Sequence, residues 1–205
     1  MSAARDEIFA AVRGAIDSAT APGAVPRTYR AAGTLDEPAR IELLRERLVD
    51  YRARVEQATS NDVHNVVETI VGGTRIVVPP ALPDAWRPAN AVEDDGLTPR
   101  ELDALDGVVT GCTVAIAETG TLVLAGGPVE GRRALTLVPD LHVCIVRTEQ
   151  IVETVPEAFA RLRGLERRPL TFVSGPSATS DIELERVEGV HGPRTLAVVI
   201  LEEEA

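Results

Sequence analysis

Apolar residues recur with helical spacing at the start of the chain. Ile8, Val12 and Ile16 lie four residues apart, and this pattern predicts a short amphipathic helix over residues 2–16. Residues 20–38 then contain several prolines and glycines but few apolar side chains, which is typical of a linker or of an arm on the surface. We therefore expect the chain to begin with a helix that a linker separates from the main body of the protein.

Three more helices are predicted in the next part of the chain. One apolar stripe with helical spacing runs through residues 40–57, and a second runs through residues 63–70 until Gly72-Gly73 ends it. The third helix begins at Thr98, which is followed by a proline at the first helical position and then by a glutamate that completes a capping box. Between the second and third helices, residues 75–78 form an apolar run that predicts a strand and ends at two prolines.

The second half of the chain alternates short apolar runs with polar connections. A helical pattern runs through residues 151–162. The apolar runs predict strands at residues 113–117, 122–125, 142–146, 170–173 and 196–201. Because short apolar strands separated by helices are typical of an α/β domain, we expect a central, mostly parallel sheet flanked by helices. The expected division is an N-terminal segment of helices and linker, residues 1–58, that packs on an α/β domain of residues 59–205.

The amino-acid composition excludes several classes of function. All 21 basic side chains are arginine, so the chain has no lysine for a Schiff base or for a nucleotide-binding phosphate loop. The formal charge of −11 opposes binding to a nucleic-acid backbone, and we expect no such binding. Cys112 and Cys144 are far apart in the sequence, each inside an apolar run, and both are expected to be small buried residues.

The compartment is also predicted from the sequence. No run approaches the roughly 18 apolar residues that a membrane-spanning helix requires. Asp6 and Glu7 stand where a secretory signal would be basic and then apolar. We therefore expect a cytoplasmic protein without a membrane-spanning segment.

Three loops beside strand ends carry the residues from which chemistry is expected, because ligands of open α/β sheets bind in such loops. In the first loop, Glu118 could act as a nucleophile or base among backbone amides that hold an oxyanion. The same residues also suit a plain hairpin turn with an exposed glutamate. The candidate ligand-binding residues of this loop are Thr119, Gly120, Thr121, Gly126 and Gly127.

The second loop spans residues 174–183, where small hydroxyl residues follow a strand and a Gly-Pro turn. Free backbone amides and hydroxyls in such a segment favour an anion such as phosphate or a carboxylate. Capping of a helix by Ser177 would use the same residues. The candidate ligand-binding residues of this loop are Ser174, Gly175, Ser177, Thr179 and Asp181.

The third loop precedes the last strand and contains His191, Gly192 and Arg194. A histidine in a loop can serve as an acid, a base or a ligand near neutral pH, although a histidine in a turn more often makes a structural hydrogen bond. The three histidines and two cysteines are scattered along the chain, so we expect no metal site. We also expect no cofactor in this chain, because it lacks the common dinucleotide and iron–sulfur motifs.

Four segments together resemble a known family. They are IAETGTLVL (residues 116–124), LVPDLHVCIV (residues 137–146), SGPSATSDIE (residues 174–183) and GVHGPRTLAVVIL (residues 189–201). Their order and spacing are similar to those of the lactate utilization protein C family, whose conserved unit is the LUD domain. The resemblance covers residues 60–203, and it implies a fold similar to that of sugar-phosphate isomerases and coenzyme A transferases.

The resemblance also implies a function. It indicates an accessory subunit in L-lactate utilization, the oxidation of L-lactate to pyruvate, that acts with iron–sulfur partner subunits. The clusters are expected in those partners, because a cluster usually takes about four protein ligands and this chain has two cysteines.

Two alternatives stay open at the level of sequence. The first is a coenzyme A transferase-like enzyme, because Glu118-Thr119-Gly120 resembles the Glu-x-Gly around the nucleophile of those enzymes. The second is a module that binds a small anion, either a sugar phosphate or a carboxylate, through residues 174–180. Ala178 stands where many relatives have a larger polar residue, which leaves the identity of the ligand open.

Overall fold

The computed structural model describes residues 3–17, 28–165, 167–176, 178–179, 187–188 and 191–202. The chain divides into two compact units, Met1–Arg30 and Ala31–Ala205. The first unit contains helix α1 (Ala3–Ile16), in agreement with the spacing of its apolar residues. The predicted division into residues 1–58 and 59–205 stays a prediction.

The second helix is shorter than the sequence predicted. Helix α2 (Glu37–Asp50) is capped by Asp36, whose carboxylate accepts the Ala39 amide at 3.0 Å. The predicted continuation to residue 57 was wrong, because Arg52 has a positive φ of 65° and strand β1 (Arg54–Thr59) follows. The spacing of Val55 fits a helix, but its backbone pairs with a distant strand, so tertiary pairing overrides the local pattern.

The remaining elements were mostly expected, and strands at residues 91–93, 107–111, 178–179 and 187–188 were not among the predictions. The helices are α3 (Val63–Val71), α4 (Pro99–Asp103) and α5 (Val155–Arg161). The strands are β2 (Ile76–Val78), β3 (Ala91–Glu93), β4 (Gly107–Gly111), β5 (Val114–Ile116), β6 (Thr121–Leu124), β7 (Leu141–Arg147), β8 (Ile151–Val152), β9 (Thr171–Val173), β10 (Ala178–Thr179), β11 (Val187–Glu188) and β12 (Thr195–Glu202).

A six-stranded sheet forms the centre of the second unit. Its strand order is β1-β12-β7-β4-β2-β3, and every pair in it is parallel. Strands β7 and β12 pair along seven positions, from Thr195 opposite Leu141 to Leu201 opposite Arg147. Their near-continuous apolar sequences fit strands that are covered on both faces. The expected α/β fold with a central parallel sheet is therefore confirmed.

A second, four-stranded sheet covers one face of the central sheet together with α2. Its order is β8-β5-β6-β9, with β5 and β8 parallel and the other pairs antiparallel. The predicted hairpin of residues 113–125 is present in this separate sheet, as β5 and β6. The apolar side chains between the layers include Leu44, Leu48, Leu122, Cys144 and Val198.

Two other features of this layer differ from the sequence predictions. Ile151 and Val152 form a strand rather than the first turn of a helix, because they pair with Ala115 and Ile116. Helix α5 begins only after Thr154, whose hydroxyl and whose partner Glu157 form a capping box. The likeness to sugar-phosphate isomerases and coenzyme A transferases stays a prediction.

The end of the predicted linker is attached to this second layer. The amides of Thr34 and Leu35 donate to one carboxylate oxygen of Glu153, at 2.5 and 2.6 Å. Glu153 is buried, so these charge-assisted bonds hold the segment before α2 against the turn that precedes α5.

The opposite face of the central sheet is covered by α3 and the residues after β2. Val63, Val67 and Val71 of α3 are buried against Val143 and Val199 of the sheet. Gly72 ends α3 in the left-handed conformation, as predicted. Among the residues that the structure describes, no helix combines the length and the apolar character needed to cross a membrane.

The turn between β5 and β6 requires glycine for two reasons that can be separated. Gly120 has a φ of +59°, and a Cβ at this position would lie 2.8 Å from Cβ of Arg47 in α2. Gly72 has the same φ of +59°, with nothing within 4 Å of its would-be Cβ. Only the first site therefore combines backbone strain with a close approach of another element.

We predict that Gly120→Ala destabilises the protein more than Gly72→Ala does. The left-handed conformation costs alanine about 1–2 kcal/mol at both sites. The contact with α2 adds about 1–3 kcal/mol at residue 120 alone. Urea unfolding monitored by circular dichroism measures both losses, and equal losses would show that the turn does not press on α2.

Candidate functional site

A cleft with two adjacent cavities lies beside the second sheet. The larger cavity has a volume of about 780 Å³ and is bounded by the residues after β2, the end of β6 and the loop of residues 126–131. The smaller cavity has a volume of about 220 Å³ and lies between the start of β7 and β9. Arg133, Thr136 and Thr171 line both cavities, so the two are adjacent.

The smaller cavity brings together the second and third candidate loops. Ser174 and Gly175 follow β9, and His191 and Gly192 precede β12. All four residues line the smaller cavity, although 16 positions separate Gly175 from His191 in the sequence. Ser174 and His191 are exposed, so the cavity opens to solvent where their polar groups lie.

The first candidate loop reaches this cavity through a chain of hydroxyl groups. The hydroxyls of Thr119 and Thr121 are 2.8 Å apart, and that of Thr121 is also 2.8 Å from the hydroxyl of Ser174. Thr121 is buried at the start of β6, next to β9 in the second sheet. The chain therefore fixes the orientation of Ser174 from within the protein.

His142 forms the floor of the smaller cavity, and the sequence predictions did not include it in the site. It lies in β7 with 1% of its surface exposed, and its Nε2 is 2.8 Å from the Thr110 hydroxyl. The sequence does contain a signal, which is a titratable residue inside an apolar strand. Burying such a group is costly unless it is hydrogen-bonded, so its presence there indicates a specific partner. Because His142 stands near the start of its strand, the sequence alone did not identify it as a buried residue.

Arg133 supplies a positive charge where the two cavities meet. Burial lowers the pKa of its guanidinium, which nevertheless stays charged as arginine does in proteins. Its Nη1 donates to the carbonyl and the hydroxyl of Thr136, both at 2.9 Å. Among the described residues no carboxylate pairs with Arg133, so its charge is available to an anion in the cleft.

The larger cavity is bounded by a glycine loop built around a buried carboxylate. Glu130 is 3% exposed, and its Oε2 accepts the amides of Ala125 at 2.7 Å and Gly127 at 2.8 Å. Its other oxygen accepts the hydroxyl of Thr113. Gly126 and Gly127 line the cavity, but the Gly127 amide is already used by Glu130.

An ion pair lies beside this cavity, on the side of Arg132. The Arg132 guanidinium donates to both oxygens of Asp94, at 2.7 and 2.8 Å. This contact lowers the pKa of the Asp94 carboxyl. Arg132 is therefore neutralised within the protein, in contrast to Arg133.

Several predicted site residues lie away from both cavities. Glu118 is exposed at the hairpin turn, where its amide donates to the carbonyl of Glu153 at 3.0 Å. Gly120 packs against Arg47. Arg194 forms an exposed ion pair with Asp140, with Nε 3.4 Å from the carboxylate.

Two predicted ligand-binding residues lie outside the described residues, and a third is described only through its backbone. Ser177 and Asp181 lie outside the described residues. Thr179 is placed in β10, opposite Val187 of β11.

Comparison with known proteins identifies relatives across most of the chain. The family model described as the LUD domain matches residues 54–201. "Lactate utilization protein C" of Deinococcus radiodurans is 41% identical over 197 residues, which are 93% of this chain and 90% of that protein. "Lactate utilization protein C 1" of Bacillus mycoides is 35% identical over 107 residues, which are 49% of this chain and 45% of that protein.

The fold is also found in a solved structure. A crystal structure of a DUF162 family protein from Deinococcus radiodurans, at 1.70 Å resolution, matches with a TM-score of 0.73 and 36% sequence identity. The match covers 82% of this chain and 99% of that one.

We predict that Glu130→Ala lowers the free energy of unfolding by about 2–4 kcal/mol. The change leaves two buried amides and one hydroxyl without their charged acceptor, and each such loss costs on the order of 1–3 kcal/mol before the loop relaxes. Chemical denaturation measures the effect. Glu46→Ala, at an exposed position of α2, is the matched control and should change stability by less than about 0.5 kcal/mol. Similar values for both variants would contradict the anchoring role of Glu130.

Proposed function

Because the chain belongs to the LUD domain family, we propose that it functions in lactate utilization, as an accessory subunit in the oxidation of L-lactate to pyruvate. The support is its 41% identity, over 93% of its length, to a Deinococcus radiodurans protein named for lactate utilization. The family model, which matches residues 54–201, spans the strands of the central sheet as far as Leu201 and the loops that line the smaller cavity.

The oxidation removes two electrons from lactate, and we assign the electron-accepting centre to iron–sulfur partner subunits. A cluster takes about four protein ligands, whereas this chain has two cysteines. Within the described ranges, no group of three or more His, Cys, Asp or Glu residues is arranged to hold a metal ion. These facts favour a role for this chain in binding and orientation beside the subunits that carry electrons. We propose the cytoplasm as the compartment of this assembly.

The smaller cavity is the proposed binding site for a short carboxylate, and Arg133 is the observation that carries this assignment. A guanidinium pairs with a carboxylate through two parallel hydrogen bonds, and such charge-assisted bonds are about twice as strong as neutral ones. Ser174 and His191 at the mouth offer hydrogen bonds to a hydroxyl or oxo group on the neighbouring carbon. A volume of about 220 Å³ suits a small acid better than a nucleotide.

The geometry gives less support to a coenzyme A transferase. Glu118, the nucleophile of that alternative, is exposed at a hairpin turn and is not among the described residues that line either cavity. We therefore retain the small-anion alternative, with a carboxylate as the anion, as part of the proposal.

Deletion of the gene is predicted to abolish growth on L-lactate as sole carbon source and to leave growth on pyruvate unchanged. Pyruvate enters metabolism after the proposed step, so it separates a defect in lactate oxidation from a general defect. Growth curves of the deletion strain and of a complemented strain measure the effect. Unimpaired growth on lactate in a strain without a paralogue would refute the role. Affinity purification from lactate-grown cells should recover a protein with the absorbance of an iron–sulfur cluster.

Arg133→Gln is predicted to weaken the binding of L-lactate and pyruvate at least about tenfold, which corresponds to about 1.4 kcal/mol. The substitution removes the positive charge and keeps a hydrogen-bonding side chain. Isothermal titration calorimetry on the purified protein measures the dissociation constants. Arg167→Gln, an exposed arginine that does not line either cavity, is the matched control and should bind as the wild type does. Equal affinities of the two variants would place the carboxylate elsewhere.

A further inference from the structure

The contacts of the Thr121 hydroxyl determine which way the hydroxyl of Ser174 points. The Thr121 Oγ1 is 2.8 Å from the hydroxyl oxygens of both Thr119 and Ser174, and 3.3 Å from the carbonyl oxygen of Thr119. A hydroxyl group has one proton to donate and two lone pairs that accept. Thr121 can therefore donate to one of these neighbours and must accept from any other to which it is hydrogen-bonded.

A single arrangement of protons makes every one of these contacts a hydrogen bond. The Thr119 carbonyl has no proton, so Thr121 must be the donor in that contact. The two lone pairs of Thr121 then accept the hydroxyls of Thr119 and Ser174. If Thr121 donated to either hydroxyl instead, the contact with the carbonyl would not be a hydrogen bond. Because Thr121 is buried and buried polar groups are hydrogen-bonded, the arrangement with the most bonds is favoured.

This arrangement gives the Ser174 hydroxyl a fixed polarity toward the smaller cavity. The proton of Ser174 is directed to Thr121, inside the second sheet, and its lone pairs remain at the mouth of the cavity, where Ser174 is exposed. A ligand group that bonds to Ser174 must therefore bring its own proton. A hydroxyl group has one, whereas an oxo group has only lone pairs.

We propose that Ser174 makes the smaller cavity selective for 2-hydroxy acids over 2-oxo acids. The inference rests on the proposed function, because it takes Arg133 as the partner of the carboxylate. Arg133 and Ser174 line the same cavity of about 220 Å³, so one short acid can meet both side chains. A hydroxyl on the carbon next to the carboxylate donates to the Ser174 Oγ. An oxo oxygen in the same place faces lone pairs of Ser174 and gains no hydrogen bond.

The charged and imidazole groups of the cavity leave this choice to Ser174. Arg133 contacts the carboxylate, which the two kinds of acid share. A neutral imidazole carries one N–H donor and one acceptor nitrogen, so His191 can bond to either kind. His142 lies on the floor, with its Nε2 held 2.8 Å from the Thr110 hydroxyl. In the proposed oxidation, the site therefore retains the reduced acid and releases the oxidised one.

The test measures the dissociation constants of L-lactate, pyruvate and propionate for the purified full-length protein by isothermal titration calorimetry. Propionate has neither a hydroxyl nor an oxo group and serves as the reference. We expect L-lactate to bind roughly five- to tenfold more tightly than pyruvate, as one hydrogen bond allows, and pyruvate to bind no more tightly than propionate. Equal affinities for L-lactate and pyruvate would overturn the inference and leave the carboxylate site intact. Failure of all three acids to bind would overturn the carboxylate site and the inference together.

Ser174→Ala removes the acceptor from an exposed position, so the variant should fold as the wild type does. Its affinity for L-lactate should fall to that for pyruvate, and its affinity for pyruvate should not decrease. The circular dichroism spectrum checks the fold. A preference for L-lactate as large as that of the wild type would show that Ser174 does not read the hydroxyl group.

Thr121→Val tests whether Thr121 positions the proton of Ser174. Without the Thr121 oxygen, the Ser174 hydroxyl can turn its proton toward the cavity and donate to an oxo group. Pyruvate should therefore bind more tightly than it does to the wild type, and the preference for L-lactate should shrink by at least about threefold. Structural damage alone would weaken the binding of all three acids and would not improve that of pyruvate.

Thr121→Ser is the matched variant, because it restores the hydroxyl and should restore the preference for L-lactate. An unchanged preference in Thr121→Val would overturn the assigned direction of the Ser174 proton. If Thr121→Val does not fold, Ser174→Ala and the wild-type affinities decide the question.

Discussion

Strand β7 is covered on both of its faces and paired along both of its edges, and the rest of the second unit is arranged around that constraint. Parallel neighbours β4 and β12 satisfy its backbone groups, so no edge of this strand meets water. Because side chains alternate along a strand, Val143 and Ile145 face α3 while His142 and Cys144 face the second sheet. The polar groups of the cleft are thus placed by the same alternation that builds the core.

The second sheet explains how polar groups can lie so deep in the protein. It holds the hairpin of β5 and β6 over β7, and the hairpin with the residues beside it supplies partners to two buried polar side chains, Glu130 and Thr121. Thr113 and two amides satisfy Glu130, and Thr121 joins the hairpin to Ser174. Buried polar groups are tolerated only when they are hydrogen-bonded, so this sheet provides both a cover for the core and the framework of the site.

Local signals in the sequence were sufficient for much of the fold. The capping box at Thr98 marks where α4 begins, and the apolar runs of β7 and β12 identify the two central strands. Val55 shows where such signals fail, since its spacing fits a helix while its hydrogen bonds go to β12, about 140 residues later. The separation of the hairpin into its own sheet is likewise a matter of long-range pairing that no local pattern records.

The residues of the candidate site likewise divide into those that local sequence signals identify and those that only the fold identifies. Ser174, Gly175, His191 and Gly192 could be predicted because glycine and small polar residues beside strand ends mark functional loops. Glu130 and His142 carry no such mark: one lies in a glycine loop and one inside an apolar strand. Their importance arises only from the neighbours that the fold brings to them. Arg194 and Glu118, which the sequence made prominent, lie at the surface.

Arg133 is the charged side chain among the three described residues that border both cavities, so binding of an anion in one compartment would affect binding in the other. A single guanidinium cannot neutralise two anions at full strength, so an anion held in one compartment lowers the affinity of the other for a second anion. By linkage, the factor is the same in both directions. Were each compartment to hold an anion, filling one would favour release of the anion from the other.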